Sequence, residues 1–186
     1  MKFQLFASRP ASSTIDGLYG AIVAQARQPS FYMAYGVPDT VDGRFDMIVL
    51  HLVLLFRRLA REPEEVRELG QGIFDRFCND MDHNLREMGV GDLAVPKEMR
   101  RLVDAFYGRA QAYETALAAD DGNRQLISAL ARNVLAETGL PSMNAVRMAS
   151  YVVEAARMMD TTAADVFGGG NLRFPDPDAV PQTALA

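Results

Sequence analysis

The sequence has few of the residues on which common protein chemistries depend. Its 186 residues include one cysteine, Cys78, and two histidines, His51 and His83. A single cysteine excludes an internal disulfide and a zinc site built from cysteines, and two histidines leave few centres for acid–base or metal chemistry. The net charge of −5 argues against a nucleic-acid-binding protein, which is normally basic. We therefore expect no sequence-specific contact with nucleic acid.

Long apolar runs are also absent. The longest strongly apolar run covers residues 47–56, and His51 interrupts it. A membrane-spanning helix needs about 20 apolar residues, so this run is too short to span a bilayer. The start of the chain, MKFQLFASRPASS, has too short an apolar run for a secretory signal peptide. These features predict a soluble, cytoplasmic protein.

Apolar residues recur with helical spacing along most of the chain, and no long run alternates with a period of two. This pattern predicts an all-α protein, a single-domain bundle of about six to seven helices. We place an N-terminal lead at residues 1–12, the helical domain at 13–167 and a mobile, Gly- and Pro-rich tail at 168–186. Within the domain, a helix is predicted at residues 42–60, with Asp42 as its N-cap.

One group of side chains has the spacing of a metal site. Asp80, His83 and Glu87 would share a helix face and could hold a hard or borderline metal ion. Ordinary pairing of a histidine with carboxylates on an exposed helix gives the same pattern. The chain has neither a GxSxG elbow nor a phosphate-binding loop. We predict no catalytic residue, no metal and no cofactor.

His51 lies among apolar residues and has two interpretations. It could ligate haem, although Met47 on the same helix could not supply the opposite axial ligand and the chain has no CxxCH motif. Alternatively, it could be a buried histidine with a structural hydrogen bond. The first interpretation makes the chain a carrier of haem or another lipophilic small ligand.

Two further features suggest a binding surface. The helix at 42–60 is apolar nearly all round, as expected either for a central buried helix or for one with an exposed stripe that receives an apolar partner. Basic residues also cluster. Arg57, Arg58 and Arg61 end that helix, whereas Lys97, Arg100 and Arg101 begin another, where the helix dipole does not favour cations. The second cluster suits anionic lipid or ribosomal RNA, or a solvated face.

Three collinear strings resemble a known family. They are YGVPDTVDGRFDMIVLHLVLLFRRL (35–59), MDHNLREMGVGDLAVPKEMRRLVDAFYGRAQAYETAL (81–117) and LISALARNVL (126–135). They are similar to the ubiquinol–cytochrome c chaperone family, and the resemblance covers about residues 30–135. It implies an all-helical factor for assembly of respiratory complex III. It also implies contacts with newly made cytochrome b, with a small partner protein and with the ribosome, and it carries over no catalytic residue.

Together these features predict a non-catalytic chaperone. It would shield a hydrophobic client, such as nascent or unassembled cytochrome b or another complex III subunit, in an apolar groove. Peripheral contact with the inner face of the cytoplasmic membrane would accompany this role. The candidate groove residues are Met47, His51, Leu54, Phe106, Tyr107 and Tyr113. The candidate basic rim consists of Arg58, Lys97, Arg100 and Arg101.

Overall fold

The computed structural model describes residues 12–180, which form eight helices and no strand. Six helices have ten residues or more, and two have five. In chain order they are α1 (Ser12–Ala26), α2 (Pro29–Met33), α3 (Val41–Leu59), α4 (Glu64–Glu87), α5 (Val95–Ala118), α6 (Arg124–Asn133), α7 (Met143–Thr161) and α8 (Ala164–Gly168). The predicted all-α, single-domain fold is confirmed. No helix within this range is long and apolar enough to cross a membrane.

Helix α3 is the centre of the domain. Helices α1, α4, α5 and α7 all pack against it. Every residue from Phe45 to Leu55 is buried, including Asp46 and His51. A helix surrounded in this way needs apolar side chains on every side rather than on one stripe. The all-round apolarity of this segment therefore reflects burial in the core.

The start of α3 is set by Thr40 rather than by Asp42. The Thr40 hydroxyl accepts a hydrogen bond from the backbone N–H of Gly43 at 3.1 Å, so Thr40 is the N-cap. The prediction of Asp42 as the cap is wrong. Asp42 lies in the first turn, where its charge favours the positive end of the helix dipole. Gly43 permits this tight entry, because a Cβ atom there would lie 2.0 Å from the carbonyl oxygen of Pro38.

Removing the cap has a predictable cost. Thr40→Ala is expected to lower the free energy of unfolding by about 1 kcal/mol, because one first-turn N–H group loses its acceptor. Thr40→Ser retains the hydroxyl and should be nearly neutral. Urea denaturation of both variants measures the difference. A Thr40→Ala variant as stable as the parent chain would show that this bond does not stabilise α3.

Helix α2 was not predicted. Pro29 follows the end of α1 closely and begins a second short helix. Proline is well suited to a first helical position, because the N–H that it lacks would have no partner there. Helix α2 brings Phe31 against α7, with 4.8 Å between the ring centroids of Phe31 and Tyr151.

The segment after α8 was predicted to be a mobile tail. Its described part packs on the domain, and we name residues 171–180 the C-terminal strap. Residues 171–176 are in neither a helix nor a strand, and residues 177–180 form a turn. The Tyr35 hydroxyl donates to the carbonyl oxygen of Pro177 at 2.6 Å, and Ser30 donates to Asp178 at 2.7 Å. Pro177 and Val180 are buried. The strap therefore belongs to the domain, which corrects the boundary at residue 168. Residues 1–11 and 181–186, with most of the predicted lead and the end of the predicted tail, lie outside the described residues.

Candidate functional site

His51 belongs to a chain of hydrogen bonds inside the domain. Its Nδ1 lies 2.7 Å from the carbonyl oxygen of Met47, which can only accept, so Nδ1 carries the proton. Its Nε2 then accepts from the Tyr151 hydroxyl at 2.8 Å. Gln25 donates both to the Tyr151 oxygen and to the carbonyl oxygen of Pro175 in the strap, each at 3.0 Å. The network thus joins α1, α3, α7 and the strap.

The side of α3 that carries His51 is closed to solvent. The rings of Phe31, Tyr151 and Phe174 lie around the imidazole, with Phe174 edge-on at 4.8 Å between centroids. Both ring nitrogens are engaged in hydrogen bonds, so neither is free for an axial haem position. Burial lowers the pKa of His51 from 6.5 to about 4, which keeps the ring neutral. In this conformation His51 has the structural role and is not a haem ligand.

The six predicted groove residues do not line one groove. Met47, Leu54, Tyr113 and Phe106 are buried, as His51 is. His51 faces α2, α7 and the strap, whereas Phe106 contacts Phe56 of α3 and Phe74 of α4. Residues on different sides of a central helix cannot form one open surface. The groove predicted from this set is therefore not present in the structure, and among the six only Tyr107 is exposed, at 59% of its surface.

Tyr107 borders a shallow cleft between α3, α4 and α5, which we name the Tyr107 cleft. Its ring centroid lies 6.1 Å from that of Phe74 and 5.4 Å from that of Phe106. The cleft has a volume of about 440 Å³, and Phe56 and Leu59 complete its apolar wall. Glu64, Arg67 and Glu68 edge it. Four aromatic rings, one of them largely exposed, make this an apolar surface with a polar margin.

A second cleft, of about 420 Å³, lies where the start of α3, the end of α4 and the start of α5 meet. We name it the Met88 cleft. Its apolar lining consists of Val41, Phe45, Ile48, Met81, Leu85, Met88 and Leu102. Met88 is 54% exposed and Val41 64% exposed, so both stand at the open lip. Methionine side chains are flexible and polarizable, and they adapt to apolar partners of varied shape.

Both acidic and basic side chains lie along the edge of the Met88 cleft. They are Arg27, Asp42, Arg44, Glu87, Glu98 and Arg101. Two of the cations are already paired, since Arg44 binds Asp39 at 2.8 Å and Arg101 binds Glu98 at 3.4 Å. Glu87 pairs with His83 at 3.1 Å. An apolar floor inside a mixed-charge rim is the usual anatomy of a protein-binding surface.

The four predicted rim residues separate into two groups. Lys97, Arg100 and Arg101 are exposed at the start of α5, and Arg101 reaches the Met88 cleft. Arg58 is buried at the end of α3 and is not part of any rim. Its guanidinium donates to the carbonyl oxygens of Met159 and Thr162, each at 2.9 Å, and to Glu62. Arg58 therefore joins the ends of α3 and α7, because a cation satisfies the free carbonyl groups at a helix C-terminus.

The candidate metal trio is not assembled. Asp80 accepts a hydrogen bond from the Tyr19 hydroxyl at 2.8 Å, which ties α4 to α1. His83 and Glu87 pair with each other on the exposed face of α4. Between residues 12 and 180 no three histidine, cysteine, aspartate or glutamate side chains are grouped to hold a metal ion.

Several residues in and near the Met88 cleft were not identified from the sequence as candidate binding residues. Val41 and Arg44 open α3, but helical spacing marked only the core face of that helix. Leu93, between α4 and α5, is 99% exposed. Its position among glycines and an aspartate, outside any helical stripe, was a signal that could have identified it as a surface leucine.

The fold and the clefts define a class: an all-helical domain with open apolar clefts. The family model described as "Ubiquinol-cytochrome C chaperone" matches residues 33–174, and the chain belongs to this family. The predicted resemblance is thereby confirmed. The chain is similar to the Cbp3 homolog from Brucella abortus, whose crystal structure is known, with 36% sequence identity. The match covers 91% of this chain and 92% of the Brucella chain, and the two structures superpose with a TM-score of 0.82.

Curated relatives agree with this assignment. The "Ubiquinol-cytochrome c reductase complex assembly factor 1" of Mus musculus is 22% identical over 170 residues, which are 90% of this chain. The protein of the same description from Drosophila melanogaster is 24% identical over 155 residues, which are 81% of this chain. The matches span 57% and 59% of the length of these two relatives, respectively.

Proposed function

We propose that the chain is a non-catalytic chaperone for assembly of ubiquinol–cytochrome c reductase, respiratory complex III. Its client would be an apolar segment of an unassembled subunit, cytochrome b being the preferred candidate. The Met88 cleft is the observation that carries this proposal, because it is an open apolar surface on a helical frame. The family to which the chain belongs supports the assembly role.

The Met88 cleft suits a helical apolar client. Recognition of a helix in a groove requires an elongated apolar surface between packed elements, and three helices of the domain meet at this cleft. A subunit of a membrane complex exposes apolar helices until its partners and the bilayer cover them. Covering one such helix would lower its tendency to aggregate, and the function needs no catalytic group.

Further partners and the place of action belong to the same proposal. The Tyr107 cleft supplies a separate apolar surface for a small partner protein, so that client and partner could be bound together. The exposed cations at the start of α5 suit contact with the ribosome or with the membrane. Work in the cytoplasm, at the inner face of the membrane, would bring the chaperone to newly inserted subunits.

Charge placed at the lip of the cleft is expected to impair assembly without unfolding the chain. In the double variant Val41→Glu with Met88→Glu, two apolar contacts are lost and two carboxylates face the client. The combined cost is roughly 2–4 kcal/mol, so client binding should fall by at least about 30-fold. Assembled complex III, measured as quinol–cytochrome c reductase activity in membranes of a complemented deletion strain, should fall several-fold.

Met143→Glu provides a matched control, because Met143 is exposed at the start of α7 and does not line the Met88 cleft. This variant should support normal complex III levels. If the control and the double variant lose the same fraction of complex III, the Met88 cleft is not the client-binding surface. Normal complex III in the deletion strain itself would refute the assembly role.

A further inference from the structure

Two apolar side chains in the connection between α4 and α5 are exposed to solvent. Leu93 is 99% exposed, and Met88 is 54% exposed at the other end of the same connection. The backbone around them is ordered by its own contacts. The N–H of Val90 donates to the carbonyl oxygen of Leu85 at 3.0 Å, and Ala94 donates to Gly91 at 2.7 Å. We name residues 88–94 the apolar tip.

The backbone of the apolar tip is anchored on both sides. Gly89 has a φ of +84°, which lets the chain leave α4 in the left-handed conformation that glycine tolerates. Val95, the first residue of α5, is buried, and Arg86 of α4 bridges to Asp92. Leu93 is therefore displayed by a fixed backbone, and its exposure does not come from a loose terminus.

Two cations that do not stabilise α5 lie in its first turns, next to the apolar tip. Lys97 and Arg100 are exposed, and no ion pair joins either of them to another residue between positions 12 and 180. The start of a helix is the positive end of its dipole, so cations there gain nothing from the helix. Their position makes them available to an external anion.

Two of the nearby acidic groups are already paired with other cations; Glu87 contacts His83, and Asp104 lies one turn beyond Arg100, further from the apolar tip. Asp92 is paired with Arg86, and Glu98 is paired with Arg101. The chain carries a net charge of −5, so two exposed, unpaired cations beside the apolar tip are a local feature and not a consequence of overall composition. Such cations attract an anionic partner over about the Debye length, roughly 8–10 Å at physiological salt.

We propose that the apolar tip and the start of α5 dock on an anionic phospholipid bilayer. Cations bind the lipid phosphates, while Leu93 and Met88 enter the boundary between headgroups and acyl chains. A nucleic-acid backbone would account for Lys97 and Arg100 but not for a fully exposed leucine beside them. The combination of apolar tip and unpaired cations therefore favours a lipid surface over RNA.

Docking in this way orients the proposed client site. Met88 belongs both to the apolar tip and to the lip of the Met88 cleft. The mouth of the cleft would then lie at the bilayer surface, where a segment of a membrane subunit can pass directly between lipid and chaperone. This consequence rests on the proposed function, whereas the docking itself does not.

Co-sedimentation of the purified full chain with vesicles tests the docking without any client. We expect binding to phosphatidylcholine vesicles that contain phosphatidylglycerol, little binding to phosphatidylcholine alone, and weaker binding as salt is raised. Lys97→Gln with Arg100→Gln should lower the partition coefficient about 30-fold, since each cation contributes about a factor of five to six. Leu93→Ser should lower it about tenfold, by the loss of an inserted apolar side chain.

Two control variants match these changes elsewhere on the domain. Arg124→Gln with Arg132→Gln removes the same charge from α6. Arg124 follows the opposite end of α5, which is about 36 Å long. Leu140→Ser alters a leucine that is 95% exposed and has no lysine or arginine within six residues. Both controls should bind the anionic vesicles like the parent chain.

Three results would overturn the proposal. These are no binding to anionic vesicles, equal losses in the test and control variants, or unchanged binding after both tip and cation substitutions. Binding of a structured RNA that depends on Lys97 and Arg100 but not on Leu93, without vesicle binding, would reassign the surface to RNA. The vesicle experiment contains no client, so a negative result in it does not contradict the proposed assembly role. In the same way, normal complex III in the deletion strain would not contradict docking on the bilayer.

Discussion

Replacement of Arg58 by alanine is expected to lower the free energy of unfolding by about 3–5 kcal/mol, the loss typical of breaking a buried ion pair. The Arg58 guanidinium is buried, donates to the carbonyl oxygens of Met159 and Thr162, and bridges to Glu62. It also stacks over the Phe167 ring, 5.5 Å from the centroid. The alanine variant leaves two helix-end carbonyl groups and one carboxylate without their cation, besides losing the packing of the side chain.

The adjacent residue supplies the control. Arg57 contacts Asp160 at 3.1 Å, also between the ends of α3 and α7, but this pair is more accessible to solvent. Accessible ion pairs contribute about 0–1 kcal/mol, so Arg57→Ala should be nearly neutral. Urea unfolding of the two variants separates the two roles. Equal, small losses for both would show that Arg58 does not hold α3 to α7, and would return it to the group of candidate partner-binding cations.

Stability in acid is expected to depend on His51. Burial lowers its folded-state pKa to about 4, against 6.5 for an unperturbed histidine. Between these values the unfolded chain binds the proton and the folded chain does not. Stability from this residue is therefore fully present above about pH 6.5 and is lost as the pH falls towards 4. The loss amounts to about 3 kcal/mol, from about 1.4 kcal/mol for each unit of pKa difference.

His51→Gln isolates this contribution, because glutamine does not titrate and can still accept from the Tyr151 hydroxyl. The free energy of unfolding of both proteins would be measured by urea denaturation between about pH 7 and about pH 4.5. The advantage of the parent chain over the variant should shrink steadily as the pH falls. Parallel pH profiles for the two proteins would contradict the role of His51 in acid stability.

Asp46 acts in the opposite direction and makes this comparison necessary. Burial raises the pKa of Asp46 to about 6, despite the Arg109 guanidinium at 2.7 Å. Its folded form therefore binds a proton more readily than its unfolded form, and its contribution to stability falls as the pH rises from about 4 to about 6. A single profile of the parent chain would mix the two effects. The difference between parent and His51→Gln cancels the Asp46 contribution.

Long helices could be predicted from the sequence because their signal is local. The spacing of Leu18, Tyr19 and Ile22 marks one face of α1, and similar patterns mark α3 to α7. Helix α2 has only five residues, which is too short for a periodic pattern, and its first residue is a proline that also suits a helix end. Thr40 and Asp42 are both residue types that favour an N-cap position. Thr40 is the N-cap of α3 because of the turn formed by residues 38–43, which the sequence pattern does not indicate.

The candidate site was predicted less well, for a related reason. A helix that is apolar all round, such as α3, gives no indication of which flank is covered by other elements. His51 was assigned to an open groove, yet Phe174 of the strap covers it. Tyr107, another candidate groove residue, lies off the apolar stripe of α5, and it is exposed. Departure from a stripe was the informative signal because it is measured within one helix.

The sequence by itself determined the helical class, the long helices and the family. Each of these follows from residue order within a single segment or from collinear strings. Only the tertiary structure decided that Arg58 is a structural clamp, that His51 is sealed, and that Val41 and Met88 open a cleft. These properties depend on contacts between residues far apart in the chain, such as Arg58 with Met159 and His51 with Tyr151. Burial and pairing are set by those contacts, and local periodicity carries no information about them.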